Sequence, residues 1–307
     1  MKRFLPYISG VLMAVIFGFS FLFSKNAIEN IGVFELLFAR FFVAFLFMTS
    51  LLLLRVIKVD FKGKNLKPIL IVVAWQPVIY FISESSGLKY TTSSIAGVMI
   101  ACIPVVSSIL GIFILNERPS KMQIICIMIS ITGVFSLLLL GGSMNTSGQL
   151  KGILFLLCAV ISAAMYNIFS RKASKSFSPM EITYVMMCTG MIVFGLIFVG
   201  DELMNAHFKN VMNMNINTLV AIGYLGILSS VIAFLLVNFT LSKLPAAQAS
   251  VFANLTTVVS ILAGVVFRNE AFGIYQLISA FVIVFGVFGT NYFRSVKSQV
   301  IEERLIL

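Results

Sequence analysis

The sequence predicts an all-α integral membrane protein, with ten transmembrane helices arranged as two five-helix repeats of inverted topology. Three observations carry this expectation. Hydrophobic residues make up 60% of the 307 and charged residues only 11%, with a mean hydropathy of +1.06. So little polar surface cannot cover a soluble core of that size. A stretch of 48 residues, Leu88–Phe135, recurs without a gap 153 positions later as Leu241–Phe288. Finally, Lys and Arg sort by side when the N-terminus is placed in the cytoplasm. Sixteen of the 22 then fall inside, five fall outside, and Arg40 lies within the second span. That is a positive-inside bias, and miscounting one helix would scramble it.

The repeat is dense in matched residues. Ala96 falls on Ala249, Val105-Val106-Ser107 on Val258-Val259-Ser260, and Gly111 on Gly264. Asn116-Glu117 falls on Asn269-Glu270, Gln123 on Gln276, and Gly133-Val134-Phe135 on Gly286-Val287-Phe288. Each copy reads as an apolar helix, a polar Asn-Glu turn and a second apolar helix, a duplicated membrane unit.

Taken in order, the chain starts with Met1-Lys2-Arg3 and an apolar run from Phe4 to Phe23. The run is too long for a signal peptide and lacks a small-x-small cleavage site, so it reads as a retained first helix. Apolar spans of membrane length follow near 5–24, 34–56, 68–87, 93–115, 120–140, 151–170, 179–199, 217–238, 245–267 and 273–293. Ser178-Pro179-Met180-Glu181 is a capping box with proline at the first helical position. Pro68, Pro119 and Pro245 stand at similar entry points. At an offset of 146, Phe23-Ser24-Lys25 aligns with Phe169-Ser170-Arg171 and Glu35 with Glu181. The halves are therefore residues 1–140 and 151–293, joined by a linker at 141–150 and followed by a cytoplasmic tail at 294–307. Five is odd, so the second half enters the membrane inverted, with Glu117 at the inner face and Glu270 at the outer. The loop Gly200–Asn217 reads as external.

Several classes of function are disfavoured. The net charge of +11 is spread over interhelical loops, a topology signal rather than a nucleic-acid face. Cys102, Cys126, Cys158 and Cys188 sit far apart in apolar runs with no CxxC pair, and they read as small buried thiols. The only histidine, His207, lies in a polar loop. No metal site, cofactor or His-based catalysis is expected. No GxxxxGK[ST] segment is present to drive an ATP-powered pump.

The pattern from Gly87 through Thr91-Thr92-Ser93-Ser94-Ile95-Ala96, then Pro104, Asn116-Glu117-Arg118, Gln123 and Gly133-Val134, resembles the EamA domain of the drug/metabolite transporter superfamily. Ala246–Ser250, Asn269-Glu270, Gln276 and Gly286-Val287 repeat the pattern. The resemblance runs from about Phe4 to Phe293. It implies a ten-helix carrier with two inverted bundles around a central cavity, in a family that mostly exports small metabolites, amino acids or drugs. Thr257 departs from the family's usual second proline, opposite Pro104.

Polar groups within spans are costly in hydrocarbon and belong to cavities or helix contacts. Gln76, Tyr80, Ser83, Glu84 and Gly87 form one helical stripe in the third span. For Glu84 two readings stand. It pairs with Arg40 as an internal ion pair or gate, or it meets a substrate ammonium or coupling proton directly. Ser250, Asn254 and Thr257 share a face of the ninth span, and Tyr166 and Asn167 mark the sixth; all join the cavity candidates. Glu117 and Glu270 read as turn and cap residues. The expected function is a multi-pass secondary carrier in the cytoplasmic membrane, with both termini inside. Its cargo is a small organic metabolite, amino acids ahead of drugs, moved outward by alternating access. A lipid-acting membrane enzyme or a channel fits less well. The chain lacks a His/Asp/Glu cluster at one face, and no polar ring recurs through its spans.

Overall fold

The computed structural model describes residues 4–114, 119–140, 147–205, 214–244 and 246–306, nearly all of them helical. In chain order the helices are α1 Leu5–Ile31, α2 Val33–Leu53, α3 Lys67–Tyr90, α4 in two pieces (Ser93–Ile100 and Ile103–Ile114), α5 Lys121–Leu140, α6 Ser147–Ala173, α7 Pro179–Asn205, α8 Ile216–Lys243, α9 Ala246–Arg268 and α10 Ile274–Ile306. Among the described residues, α1–α4 and α6–α8 are long and apolar enough to cross a membrane; α5, α9 and α10 contain shorter apolar stretches.

Local chemistry sets the helix starts. The Ser178 Oγ accepts from the Glu181 N–H at 3.3 Å while the Glu181 carboxylate accepts from the Ser178 N–H at 2.8 Å, so the capping box forms. The same carboxylate takes Lys64 Nζ at 2.8 Å and the Asp60 N–H at 3.0 Å, which ties the α2–α3 connection to the start of α7. Thr92 caps α4 by accepting from the Ile95 N–H at 3.2 Å, and Asn215 caps α8 from the Thr218 N–H at 2.8 Å.

Five expectations need correction. The third span is not one continuous helix: between Ala74 and Ile79 it opens, and Gln76 adopts extended backbone at φ −144°, ψ 116°. Pro77 is the cause, because it has no N–H to donate and pushes the residue before it out of helical conformation. The fourth span likewise pauses at Ala101-Cys102, one turn ahead of Pro104. The tail at 294–307 continues α10 as helix through Ile306, since nothing from Ser295 onward breaks a helix and Lys, Gln, Glu, Arg and Leu all favour one. Similarly, α7 passes Gly200 and ends at Asn205. Cys158 faces outward, exposed, while Cys102 and Cys126 are buried.

The most extensively packed pairs are α5 with α10, α2 with α7, α4 with α9, α3 with α6, α1 with α8, α1 with α9 and α4 with α6. Exchanging α1–α5 for α6–α10 turns this set into itself. The opened turns in α3 (Ala74–Ile79) have a counterpart in α8, where Tyr224–Ile232 is wound as a wider π-helix. Backbones approach closely where α3 meets α6: a Cβ on Gly87 or on Gly152 would stand 3.1 Å from the other's carbonyl oxygen. Only glycine permits that approach.

Candidate functional site

Helices α1–α4, α6, α8 and α9 meet around a cavity of about 120 Å³. Its walls are largely aromatic and aliphatic, with Phe17, Phe21, Phe81 and Phe234 prominent. Edge-to-face contacts lock the rings, Phe17 on Phe234 at 5.3 Å and Phe81 on Phe41 at 5.1 Å.

Two ionisable side chains of opposite sign line these walls. Arg40, from α2, is 2% exposed. Its Nε donates to Ser230 Oγ at 2.7 Å and its Nη2 to Ser229 Oγ at 2.8 Å, both on the π-helical part of α8. The guanidinium carbon stands 4.3 Å from the centre of the Phe81 ring. Hydroxyls and a π-face thus solvate a permanent cation. Glu84, one turn beyond Tyr80 on α3, is also 2% exposed, and its Oε2 has no hydrogen-bond partner. Among the described residues no ion pair joins Arg40 to Glu84. The cavity therefore holds a cation without a carboxylate and a carboxylate oxygen without a donor. In an apolar enclosure such groups bind strongly to complementary charges.

Beside the cavity lies a polar hub. Asn238 Oδ1 accepts from Tyr166 OH at 2.8 Å and Ser170 Oγ at 2.9 Å, while Asn238 Nδ2 donates to Thr183 Oγ1 at 2.9 Å. The hub pins α6, α7 and α8 together and aims the Tyr166 ring into the cavity.

One end of the molecule is tied across the two halves. Thr257 Oγ1 donates to the Gly97 carbonyl and Ser260 Oγ to the Ser93 carbonyl, each at 2.8 Å, which joins α9 to α4. Lys25 Nζ donates to the Leu88 carbonyl at 2.7 Å. Asn269 takes a left-handed φ of 52°, a conformation asparagine tolerates well, and this ends α9 and turns Glu270 back over it. The Glu270 carboxylate accepts from the Ser93 N–H (2.9 Å) and Oγ (2.7 Å) and from the Ser94 N–H (2.9 Å) and Oγ (2.6 Å). Burial works to raise this carboxyl's pKa, but the four hydrogen bonds outweigh it and hold it below the usual carboxylate range. Arg268 donates to Asn26 and, at 2.8 Å, to Glu29.

Of the residues singled out from sequence, the structure brings Arg40, Gln76, Tyr80, Glu84, Tyr166 and Asn167 into the cavity wall. Gly87 instead packs on α6 and Ser83 is buried away from the lining, because in the unbroken helix after Ile79 the inward face runs through Tyr80, Phe81 and Glu84. On α9 the lining residues are Ala253 and Thr256; Thr257 faces α4, and the Asn254 Oδ1 is buried without a partner outside the lining. Ser250 lies within α9 with its side chain outside the described residues, as do Glu117 and His207 altogether. Sequence reasoning missed Ser229 and Ser230, whose signal is an adjacent Ser pair in an otherwise apolar run.

Comparison with known proteins places this architecture in a class of membrane transporters. The sequence profile of the EamA-like transporter family matches residues 4–139 and again 150–292, and the chain belongs to that family. The Bacillus subtilis (strain 168) uncharacterized transporter YcxC is 34% identical over 289 residues, covering 93% of this chain and 92% of YcxC. The Escherichia coli (strain K12) uncharacterized inner membrane transporter YedA is 23% identical over 93% of this chain and 90% of its own length. A solved structure titled "Crystal structure of protein" shares the fold, with a TM-score of 0.65, 16% identity and 98% of both chains covered. The protein is thus a multi-pass membrane transporter, as its sequence pattern predicts.

Proposed function

We propose that the protein is a secondary carrier that exports a small organic metabolite, an amino acid or close relative, across the cytoplasmic membrane. Alternating access of two inverted five-helix halves, with ten spans and cytoplasmic termini, is the proposed mechanism. The observation that carries the reading is the pair of opposite charges in one apolar cavity, Arg40 without an acid and Glu84 Oε2 without a donor. A zwitterion supplies both missing partners at once, its ammonium to Glu84 and its carboxylate to Arg40. The cavity volume of about 120 Å³ supports a compact solute; drug-sized ligands occupy pockets of roughly 300–1,000 Å³. The self-exchanging packing of the halves and the twofold profile match support the inverted-repeat reading. Proton coupling rests on Glu84 alone.

Purified protein in liposomes tests this. Counterflow of labelled amino acids is expected to be saturable for one class and to fall sharply in Glu84→Gln. Acceleration by a pH gradient that Glu84→Gln abolishes supports coupling; full pH dependence in that variant removes it. No counterflow across the amino-acid panel shifts the cargo to drugs or other metabolites.

A further inference from the structure

Outside the cavity, the Glu270 carboxylate makes four hydrogen bonds, and they are in an unexpected place. It follows α9, yet all four of its short hydrogen bonds go to the first two residues of α4, in the other half of the chain. Those N–H groups are orphan donors at a helix N-terminus, where the peptide dipoles favour an anion. Gly264 makes room, since a Cβ there would overlap both the Glu270 carboxylate and the Ser94 hydroxyl.

Two further observations give the contact a dynamic meaning. Along the α4–α9 seam, contacts run in order from Glu270 on Ser93-Ser94, to Ser260 on Ser93, to Thr257 on Gly97. Immediately beyond, the same two helices separate and supply Ile100, Ile103, Ala253 and Thr256 to the cavity wall. The carboxylate thus sits at the closed end of a seam whose other end is the cavity. Moreover, α4 does not need Glu270 as its own cap, because Thr92 already fills that role. The bond can break without unravelling either helix.

We propose that Glu270 is a latch between the halves, a positioning residue that holds the cavity shut toward the end bearing Ser93 and Arg268. Its release from α4 belongs to the step that opens the cavity to that side, the outside under the charge-based orientation. This role rests on the carrier reading above. The sequence biases the latch: the repeat aligns Ser93-Ser94 with Ala246-Ala247, so the two hydroxyl donors exist in only one half.

The test is access to the cavity in intact cells. The four native cysteines are replaced by Ser, Ser20→Cys is introduced in the cavity wall, and a membrane-impermeant methanethiosulfonate is added from outside. In a parent that matches the native chain's Tm, labelling is expected to be slow. Glu270→Gln is expected to speed it about tenfold or more, since neutral acceptors hold hydrogen bonds far less well than charged ones. The double variant Ser93→Ala, Ser94→Ala keeps the carboxylate and both backbone donors and is expected to fall between. Combining all three changes is expected to go no faster than Glu270→Gln alone. Labelling within about threefold of the parent in both Glu270→Gln and the double serine variant, or slowed labelling in either, overturns the proposal; the serine variant decides it where Glu270→Gln fails to fold. The readout needs no transport, so absent counterflow sinks the carrier reading while labelling still decides the latch.

Discussion

Replacing Asn238 by Leu tests whether the polar hub beside the cavity is structural. The side chain is fully buried and makes three hydrogen bonds of 2.8–2.9 Å, to groups on α6 and α7. Interhelical hydrogen bonds in membranes contribute on average about 0.6 kcal/mol each, with a maximum near 1.7. Leu fills the volume but leaves the Tyr166 hydroxyl without its acceptor in a site closed to water, at a further cost of about 1–3 kcal/mol. The expected loss is about 3–5 kcal/mol. Tyr166→Phe removes one donor while Ser170 still satisfies Asn238 Oδ1, so about 1 kcal/mol is expected. The two changes share a bond, and the double variant is expected to cost less than the singles added together. Equilibrium unfolding in mixed detergent micelles measures all three, with counterflow alongside. Asn238→Leu within about 0.5 kcal/mol of the parent would refute the structural role, since one average bond already exceeds that. So would a Tyr166→Phe variant of parental stability that no longer transports, because its hydroxyl would then serve the solute.

Three other outcomes are expected. Arg40→Met removes a buried charge that has no acid partner and is expected to fold with stability at or above the parent's, yet to lower counterflow at least tenfold; parental transport would discard the zwitterion reading. Gly152→Ala drives a methyl against Thr91, Tyr90 and the Gly87 carbonyl, and is expected to cost about 1–3 kcal/mol in the same unfolding assay. Because bonded Glu270 titrates below an unfolded carboxyl of about 4.3, its contribution is complete above that value and disappears as pH falls through the lower folded one. Outside labelling of the Ser20→Cys reporter, corrected for reagent chemistry, is therefore expected to be flat from about pH 5.5 to 8 and to rise only below about pH 4. A transition near neutrality would contradict it.

What the sequence made legible follows from how local each cause is. The capping box at Ser178–Glu181 is encoded within four residues and appears as expected. The Asn-Glu turn was readable as a cap, but which helix Glu270 caps depends on tertiary placement, with its partners 176–177 positions away. The α3 stripe was half legible. Gln76, Tyr80 and Glu84 face the cavity, whereas Gly87 meets Gly152 and Leu156 of α6 and Ser83 lies off the lining, because spacing gives a shared face but not which neighbour each part of it meets. Arg40 drew attention because a cation in hydrocarbon needs company, yet a carboxylate was the obvious candidate. The partners are two serine hydroxyls 189 and 190 residues downstream, a residue type that in an apolar run reads as filler.

Arg40 also places a fixed charge within the electric field of the membrane. It lies seven residues past Val33, the start of α2, roughly 10 Å along the helix axis. Held by Ser229 and Ser230, it has no need to travel for voltage to act on it. Any step that moves the aqueous boundary from one side of a static charge to the other moves the field across that charge. An elementary charge traversing the full field at 100 mV is worth about 2.3 kcal/mol. A third of the field therefore changes such a step by about 0.8 kcal/mol, or about fourfold. The turnover of this transporter is expected to be electrically sensitive even when the solute it moves carries no net charge.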